Sequence, residues 1–504
     1  MAKKLLLIFV LLSLIPASGF GECVLDAKNF MFSVDTYLRT DAVTWRNVTS
    51  LNDGNKDDRT AYLGIDYNFA LDWEFKNNGP HYYIKLERNG PYDYDAPLFI
   101  HNTLLTSGGE IARYRNKELL PQVEEFWLDF PLAKSLRFKT GLYTYEVGNG
   151  FSLNGSYENY SATLYQESEN FSWRLYYCRP DMVNKTRRGP VVRQEKEQGI
   201  VYEPNAANFF ALDARIKSGE QCFSPYLGVL ADYTSPGKRW NLFSAPINRD
   251  LLGTFGLAWE LKNEKISLKA EAAKNFGQAT SSSADFKDIE HTGYLAYAGI
   301  EALLDKLTPY LKFIAASGNK LSPDMASSGA PTLTSGKNRA FSYNSPTNLN
   351  TSDSISSSNV DMFPIVAMGG GYGLNYGVQR PSTFFAGDFE NLIMPCIGLD
   401  YKFSEKLNFS LCGYYLSSFE KGVGTWQGEG KYLSRDLGWE SDVFIDYQLN
   451  KNILLSFLGG YFFPGGYYKE RRNDVGGSLF SPYLRGDGDA DGAYQLELAL
   501  ECKF

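Results

Sequence analysis

From Leu63 to Phe75 every second residue is apolar: Leu63, Ile65, Tyr67, Phe69, Leu71, Trp73 and Phe75, with Gly64, Asp66, Asn68, Ala70, Asp72 and Glu74 between them. Successive side chains of a strand point to opposite faces, so this alternation predicts a β-strand with one apolar and one polar face, and no helical period would sustain it. The same reading predicts strands near 30–47, 61–76, 81–88, 123–131, 135–143, 158–166, 171–179, 208–217, 222–233, 252–262, 265–276, 290–302, 307–317, 392–403, 407–418, 438–449, 452–463 and 493–503. The last of these puts Tyr494, Leu496, Leu498, Leu500, Cys502 and Phe504 on one face and Gln495, Glu497, Ala499, Glu501 and Lys503 on the other. An alternating strand that ends on an aromatic resembles the C-terminal signal read by the barrel-assembly machinery of the bacterial outer membrane.

The connections alternate in length. Short polar turns fall at 77–80, 132–134, 167–170, 218–221, 263–264, 304–306, 404–406 and 450–451. Longer links fall at 48–60, 89–122, 144–157, 180–207, 234–251, 277–289, 318–391, 419–437 and 464–492. This predicts an all-β chain, a transmembrane antiparallel β-barrel of about 18 strands, with both termini periplasmic and long extracellular loops. A soluble sandwich or propeller has no such two-sided asymmetry. The link 318–391 is rich in Ser, Gly, Asn and Thr to about residue 360 and is long enough to act as a gating loop folded into the lumen.

Composition fits a barrel. Mean hydropathy is −0.31 with 15% aromatic residues, and beyond the first residues there is no run of eighteen apolar positions, which excludes a helical membrane protein. Residues 1–21 read as a signal peptide, with Lys3 and Lys4 before the apolar run Leu5–Ile15 and small residues after Pro16, leaving 22–504 as the barrel. The net charge of −8 argues against a nucleic-acid partner. The six cysteines form no CxxC pair and read as packing residues, although barrel closure brings Cys23 toward Cys502 as a candidate disulfide. His81, His101 and His291 make no metal or hydrolase motif, no GxSxG or Walker A sequence is present, and Gly369–Gly373 reads as a flexible loop, so no enzymatic activity is expected.

Several pieces resemble the alginate-export type of outer-membrane porin. They are Gly141-Leu-Tyr-Thr-Tyr145 followed by Gly148-Asn-Gly150, Leu268-Lys-Ala-Glu-Ala272 followed by Asn275-Phe-Gly277, Ala315-Ala-Ser-Gly-Asn319, Phe363-Pro364, and Asp388 to Asn391. Where that family often shows Gly-Arg-Gln, this chain has Gly141-Leu142-Tyr143. The resemblance implies an eighteen-stranded barrel that exports or passes an anionic polysaccharide or sugar acid.

Parity assigns the candidate selectivity residues. Arg137, Lys139, Arg174, Arg215, Lys217, Lys269 and Lys312 are expected to face the lumen, as are Asp66, Asp72, Glu74, Asp213, Glu271, Asp400, Asp442 and Asp446. Charges on a narrow, low-dielectric wall act strongly on a passing solute, but mixed charges also simply pair across strands. The run Asp487-Gly-Asp489-Ala-Asp491-Gly492 is a candidate calcium loop, with the solvated acidic turn as the plainer reading. No other cofactor is indicated. The chain reads as an outer-membrane channel for a hydrophilic solute, with a general diffusion porin and a plugged structural or adhesin barrel as alternatives. Its expected partners are outer-membrane lipid, the barrel-assembly machinery and the solute.

Overall fold

The computed structural model describes residues 23–26, 28–46, 59–88, 99–100, 122–155, 160–179, 207–233, 247–281, 287–320, 336–342, 362, 364–367, 391–426, 429–470 and 491–503. Eighteen strands form the wall. They are β1 (Phe30–Arg46), β2 (Arg59–Phe75), β3 (His81–Arg88), β4 (Gln122–Pro131), β5 (Leu136–Leu142), β6 (Tyr160–Glu167), β7 (Phe171–Cys178), β8 (Ala207–Ser218) and β9 (Gln221–Asp232). The second half is β10 (Ile247–Lys262), β11 (Ile266–Ser281), β12 (Tyr294–Ala302), β13 (Leu307–Ala316), β14 (Leu392–Lys402), β15 (Leu407–Ser417), β16 (Asp436–Asn450), β17 (Ile453–Pro464) and β18 (Ala493–Lys503).

Each strand pairs antiparallel with the next, and β18 pairs with β1 from Tyr37↔Lys503 to Arg46↔Tyr494, which closes the barrel. Pairing of the last strand with the first removes the free edge that an open sheet would expose, as a lipid environment demands. The eight short connections all lie at one rim. There the chain reverses through left-handed residues, Asn77 (φ 61°) and Asn78 (φ 60°) between β2 and β3, and Gly219 (φ 60°) between β8 and β9. The first strand starts and the last strand ends at that same rim.

The registers fix which face looks inward. Arg39, Asp66, Glu501 and Leu454 are opposite one another in turn, and the same parity continues strand by strand around the barrel. The other parity carries large apolar residues exposed on the outside, among them Phe69, Phe126, Leu175, Phe210, Leu257, Phe313 and Ile397, the last 68% exposed. Aromatic clusters mark both ends of this band. Phe30, Phe32, Trp73, Phe75 and Tyr82 meet near the short-turn rim, as do Tyr401, Phe403 and Phe409. Tyr177 with Phe210, Tyr415 with Trp439 and Tyr461 with Phe463 mark the opposite rim. An apolar band between two aromatic belts on a closed barrel is the surface of a bacterial outer-membrane protein.

The structure departs from the sequence reading at several places, each with a physical cause. The strand expected over 290–302 is split into Ile289–His291, which pairs in parallel with Lys337–Asn338, and β12 from Tyr294. Gly293 lies at the break, where a Cβ would come 2.2 Å from the Ala340 carbonyl oxygen, so backbone from the 318–391 link packs directly on it. A short strand at Cys23–Asp26 pairs with residues 31–34 of β1 along the edge that β18 occupies farther on. Cys23 is thus opposite Val34 and Cys502 opposite Leu38. Four residues of strand separate their Cα atoms by about 13 Å, too far for the candidate disulfide, and Cys502 is a free thiol. The link 419–437 holds a small hairpin, Val423–Trp426 with Glu429–Tyr432, and Gly466–Glu470 is one helical turn. Phe504 and the Gly369–Gly373 cluster lie outside the described residues.

Candidate functional site

The lumen is the candidate site, and its lining follows from the ladder. On the arc from β18 through β4 the inward positions are strongly acidic. β1 and β18 contribute Asp35, Asp41, Glu497 and Glu501, and β2 contributes Asp72 and Glu74, with Asp66 at a register position of the same parity. Glu87 of β3 and Glu125 and Asp129 of β4 continue the series. Among the described residues the cations at inward positions of the same arc are Arg39, Lys85 and, at the end of β18, Lys503, which lies 3.7 Å from Glu501. Arg39 is 1% exposed and donates to Glu501 at 2.6 Å and to Glu497. Lys85 pairs with Glu87. Asp35 and Glu74 are exposed, and Asp72 holds His81 at 2.5 Å.

The seven basic candidates all occupy inward register positions, spread from β5 to β13. They do not form one lane. Arg137 and Lys139 of β5 are separated from Arg215 and Lys217 of β8 by two strands, roughly 14 Å of wall. Arg137 is bound to Asp129 at 3.0 Å, to Asn78 at 2.5 Å and to the Gly79 carbonyl at 3.1 Å. Lys139 places its ammonium 3.7 Å from the Trp127 ring centroid and 4.4 Å from that of Tyr143. Arg174 pairs with Asp213 at 3.1 Å, and Lys312 with Glu301 at 3.0 Å. Arg215 donates to the Cys222 thiol at 3.0 Å, and Lys217 is exposed near the short-turn rim.

Wall carboxylates are also used to hold loops inside the barrel, a role the sequence reading did not assign. After β5 the chain turns inward as Tyr143–Gly155 and crosses the inner wall. The Tyr145 ring stacks on Tyr176 at 4.2 Å, and its hydroxyl donates to Asp213. Arg174 donates to the Glu146 carbonyl at 2.7 Å. Glu271 of β11 then accepts the Asn149 N–H and the Ser152 and Tyr226 hydroxyls, each at 2.7 Å. Phe151 packs on Tyr297 of β12 at 4.2 Å and, with Leu153, is fully buried. Gly148 (φ 61°) sits where a Cβ would lie 3.0 Å from Glu271 Oε2 and 3.1 Å from the Tyr226 ring, so both conformation and space call for glycine.

The described parts of the 318–391 link fold inward too. The Asn275 side chain of β11 bonds both backbone groups of Ser342, accepting its N–H at 2.7 Å and donating to its carbonyl at 3.0 Å. Asn319 accepts the Arg339 N–H at 2.7 Å and donates to Asn338 at 2.8 Å. His291 lies 2.8 Å from Asp250, buried. Farther along, the turn 365–367 is clamped to β16. The Val366 and Ala367 N–H groups donate to the two oxygens of Glu440 at 2.6 and 2.7 Å, and the Ile365 N–H donates to Asp442 at 3.0 Å. Met362, Ile365, Val366 and Ala367 are buried in the same apolar cluster as Phe151, Tyr297 and Phe462. Glu440 and Asp442 are directly opposite inward Tyr414 and Cys412, so the clamp is inside the wall.

Parity alone identified Asp213, Glu271 and Asp442, but not what they hold. Arg39, Glu440 and Glu497 share that parity and could have been found by it. The loop partners Asn149, Ser152 and Ile365–Ala367 carry no local signal, because only the closed fold brings them to the carboxylates. Of the candidate calcium run, Asp487 and Asp489 lie outside the described residues.

No family model matches the chain, and no curated protein matches it. Among solved structures it is similar to OpdG of Pseudomonas aeruginosa at 10% identity and TM-score 0.49, over 94% of this chain and 98% of that one. It is similar to OpdQ of the same species at 11% identity and TM-score 0.48, over 94% and 98%. A BenF-like porin of Pseudomonas fluorescens Pf-5 matches at 8% identity and TM-score 0.47, over 94% and 99%. At such identities no residue of this chain takes its role from those proteins.

Proposed function

We propose that this chain is an outer-membrane channel that passes small hydrophilic solutes through a lumen narrowed by its own loops, with cations favoured over anions. The observation that carries this reading is the carboxylate clamp. Glu271 and the Glu440–Asp442 pair hold loop backbone against the inner wall from two sides of the barrel. A wide diffusion pore has no need of buried charges satisfied in this way, and a loop held by charge-assisted bonds narrows the lumen permanently rather than transiently. Cation preference follows from the acidic arc, whose exposed Asp35 and Glu74 face solvent in the lumen. In this reading the short-turn rim and both termini face the periplasm, the barrel-assembly machinery inserts the chain, and the long connections face outward.

Export of an anionic polysaccharide, or passage of a sugar acid, is the finer alternative. It asks for a continuous basic lane, whereas Arg137, Arg174 and Lys312 are neutralised by carboxylates and Lys139 is seated between two rings. Planar-bilayer recording tests the proposal. Small, cation-selective currents support it. Large unselective currents favour the general diffusion porin, and silence in both the intact chain and a clamp-released variant favours a plugged structural barrel.

A further inference from the structure

One edge of β1 is shared by two partners. β18 pairs with Tyr37 to Arg46 and ends with Lys503 opposite Tyr37, while the short strand Cys23–Asp26 pairs with Met31 to Val34 and begins with Cys23 opposite Val34. Both run antiparallel to β1, so they lie in line along the edge with Asp35 and Thr36 between them. The short strand is anchored independently of β18. Lys76, just past the end of β2, pairs with Asp26, and its backbone N–H donates to the Asn29 carbonyl at 3.0 Å. β18 is tied in turn to its other neighbour, where the Lys503 N–H donates to the Asn452 carbonyl at 2.9 Å. Among the described wall strands, β18 and β1 are the one pair that is not consecutive in the chain, so no connecting turn sets their register.

A slip of one residue at this seam would exchange the inner and outer faces of β18, which the alternation of its side chains forbids. A slip of two keeps both faces and changes the stagger, which together with strand number sets the dimensions of a closed barrel. The seam charges restrain that slip loosely. With β18 moved two residues toward the short-turn rim, Arg39 would face Ala499 and still have Glu497 and Glu501 one inward step away on either side, against the penalty of Glu497 facing Asp41. The same movement would carry Lys503 opposite Asp35 and Phe504 opposite Val34, the place that Cys23 holds. We propose that the strand Cys23–Asp26 is a register stop. It occupies β1 at Met31 to Val34, holds β18 to the stretch beyond, and so fixes the stagger at which the barrel closes.

Cys502 is a free thiol and serves as the reporter. Leu38 stands opposite it in the observed register and Thr36 would do so after a slip of two. A cysteine directly opposite is within reach of a disulfide, whereas one at Thr36 is now about 8 Å away, beyond it. The full-length chain carrying C23S with either L38C or T36C is refolded in detergent and oxidised with copper phenanthroline, and the cross-linked peptides are measured by mass spectrometry. The expected result is a cross-link from L38C to Cys502 and at least tenfold less from T36C. Deleting residues 23–26 should raise the T36C cross-link at least fivefold in barrels that keep heat-modifiable gel migration. Val24→Pro, which breaks the pairing with Ser33, should do the same and serves if the deletion does not fold. The proposal is overturned if T36C cross-links as well as L38C with the strand intact, or if a folded variant leaves the T36C cross-link at its original level. It is also overturned if neither variant folds, because the strand would then be needed for folding itself rather than for register.

Discussion

The two sides of the lumen use carboxylates differently. On the arc around β9–β12 and on β16, buried carboxylates look inward and accept backbone N–H groups from loops, so each charge is stabilised by chain that comes from elsewhere in the sequence. At the β18–β1 seam, buried carboxylates are held by Arg39, a residue of the wall itself. The first arrangement holds loops against the inner wall and the second joins the first strand to the last. A negative charge on an inner wall therefore has no single meaning, and what it faces decides whether it holds a loop or secures the scaffold.

Breaking the seam should have the largest effect. Arg39→Met leaves Glu497 buried without its counter-charge and Glu501 with only the exposed Lys503 at 3.7 Å, which should cost about 3–5 kcal/mol. Urea unfolding of the refolded barrel, with heat-modifiable gel migration as a check of folding, should show that loss; an unchanged midpoint would show that the seam does not depend on the pair. Conductance of the fraction that folds should stay at the intact value, since no loop is touched.

Releasing a loop should reverse that pattern. Gly148→Val forces a branched side chain into a left-handed position against Glu271 and Tyr226, at about 1–3 kcal/mol. The wall ladder is untouched, so the barrel should still fold, and single-channel conductance should rise as segment 147–153 leaves the wall. A folded variant with unchanged conductance would mean that this segment does not border the path.

The smallest effect should come from the cations. Converting Arg137, Lys139, Arg215 and Lys217 to Gln removes two residues already held by Asp129 or by aromatic rings and two near the short-turn rim. Their loss should move the reversal potential in a salt gradient less than converting Asp35, Asp72, Glu74 and Glu125 to amides. The opposite ranking would restore the basic residues as the selective element and bring the sugar-acid reading forward.

The barrel was legible in the sequence because its determinants are local. Alternation such as Leu63 to Phe75 needs no knowledge of partners, and the contrast between the turn 77–80 and the link 89–122 needs only counting. Inward parity was equally readable, since one residue of slip would turn Asp213 and Glu271 toward lipid. The clamps were not. Asn149 reaches Glu271 across 122 positions and Ile365 reaches Asp442 across 77, and no pattern within either segment announces the pairing. The break at Gly293 belongs to the same class, because the glycine is required by backbone at Ala340 rather than by its own neighbours.

The central claim is that loop backbone clamped to inward carboxylates sets the width of the channel, and the most direct measurement is single-channel conductance of the intact chain beside the E440Q/D442N double variant. Amides at both positions keep the shape of the wall but remove the charges that accept the N–H groups of Ile365, Val366 and Ala367. Small currents in the intact chain, rising at least twofold in the variant with the barrel still folded, are predicted. Currents that are already large and do not change between the two proteins would contradict it.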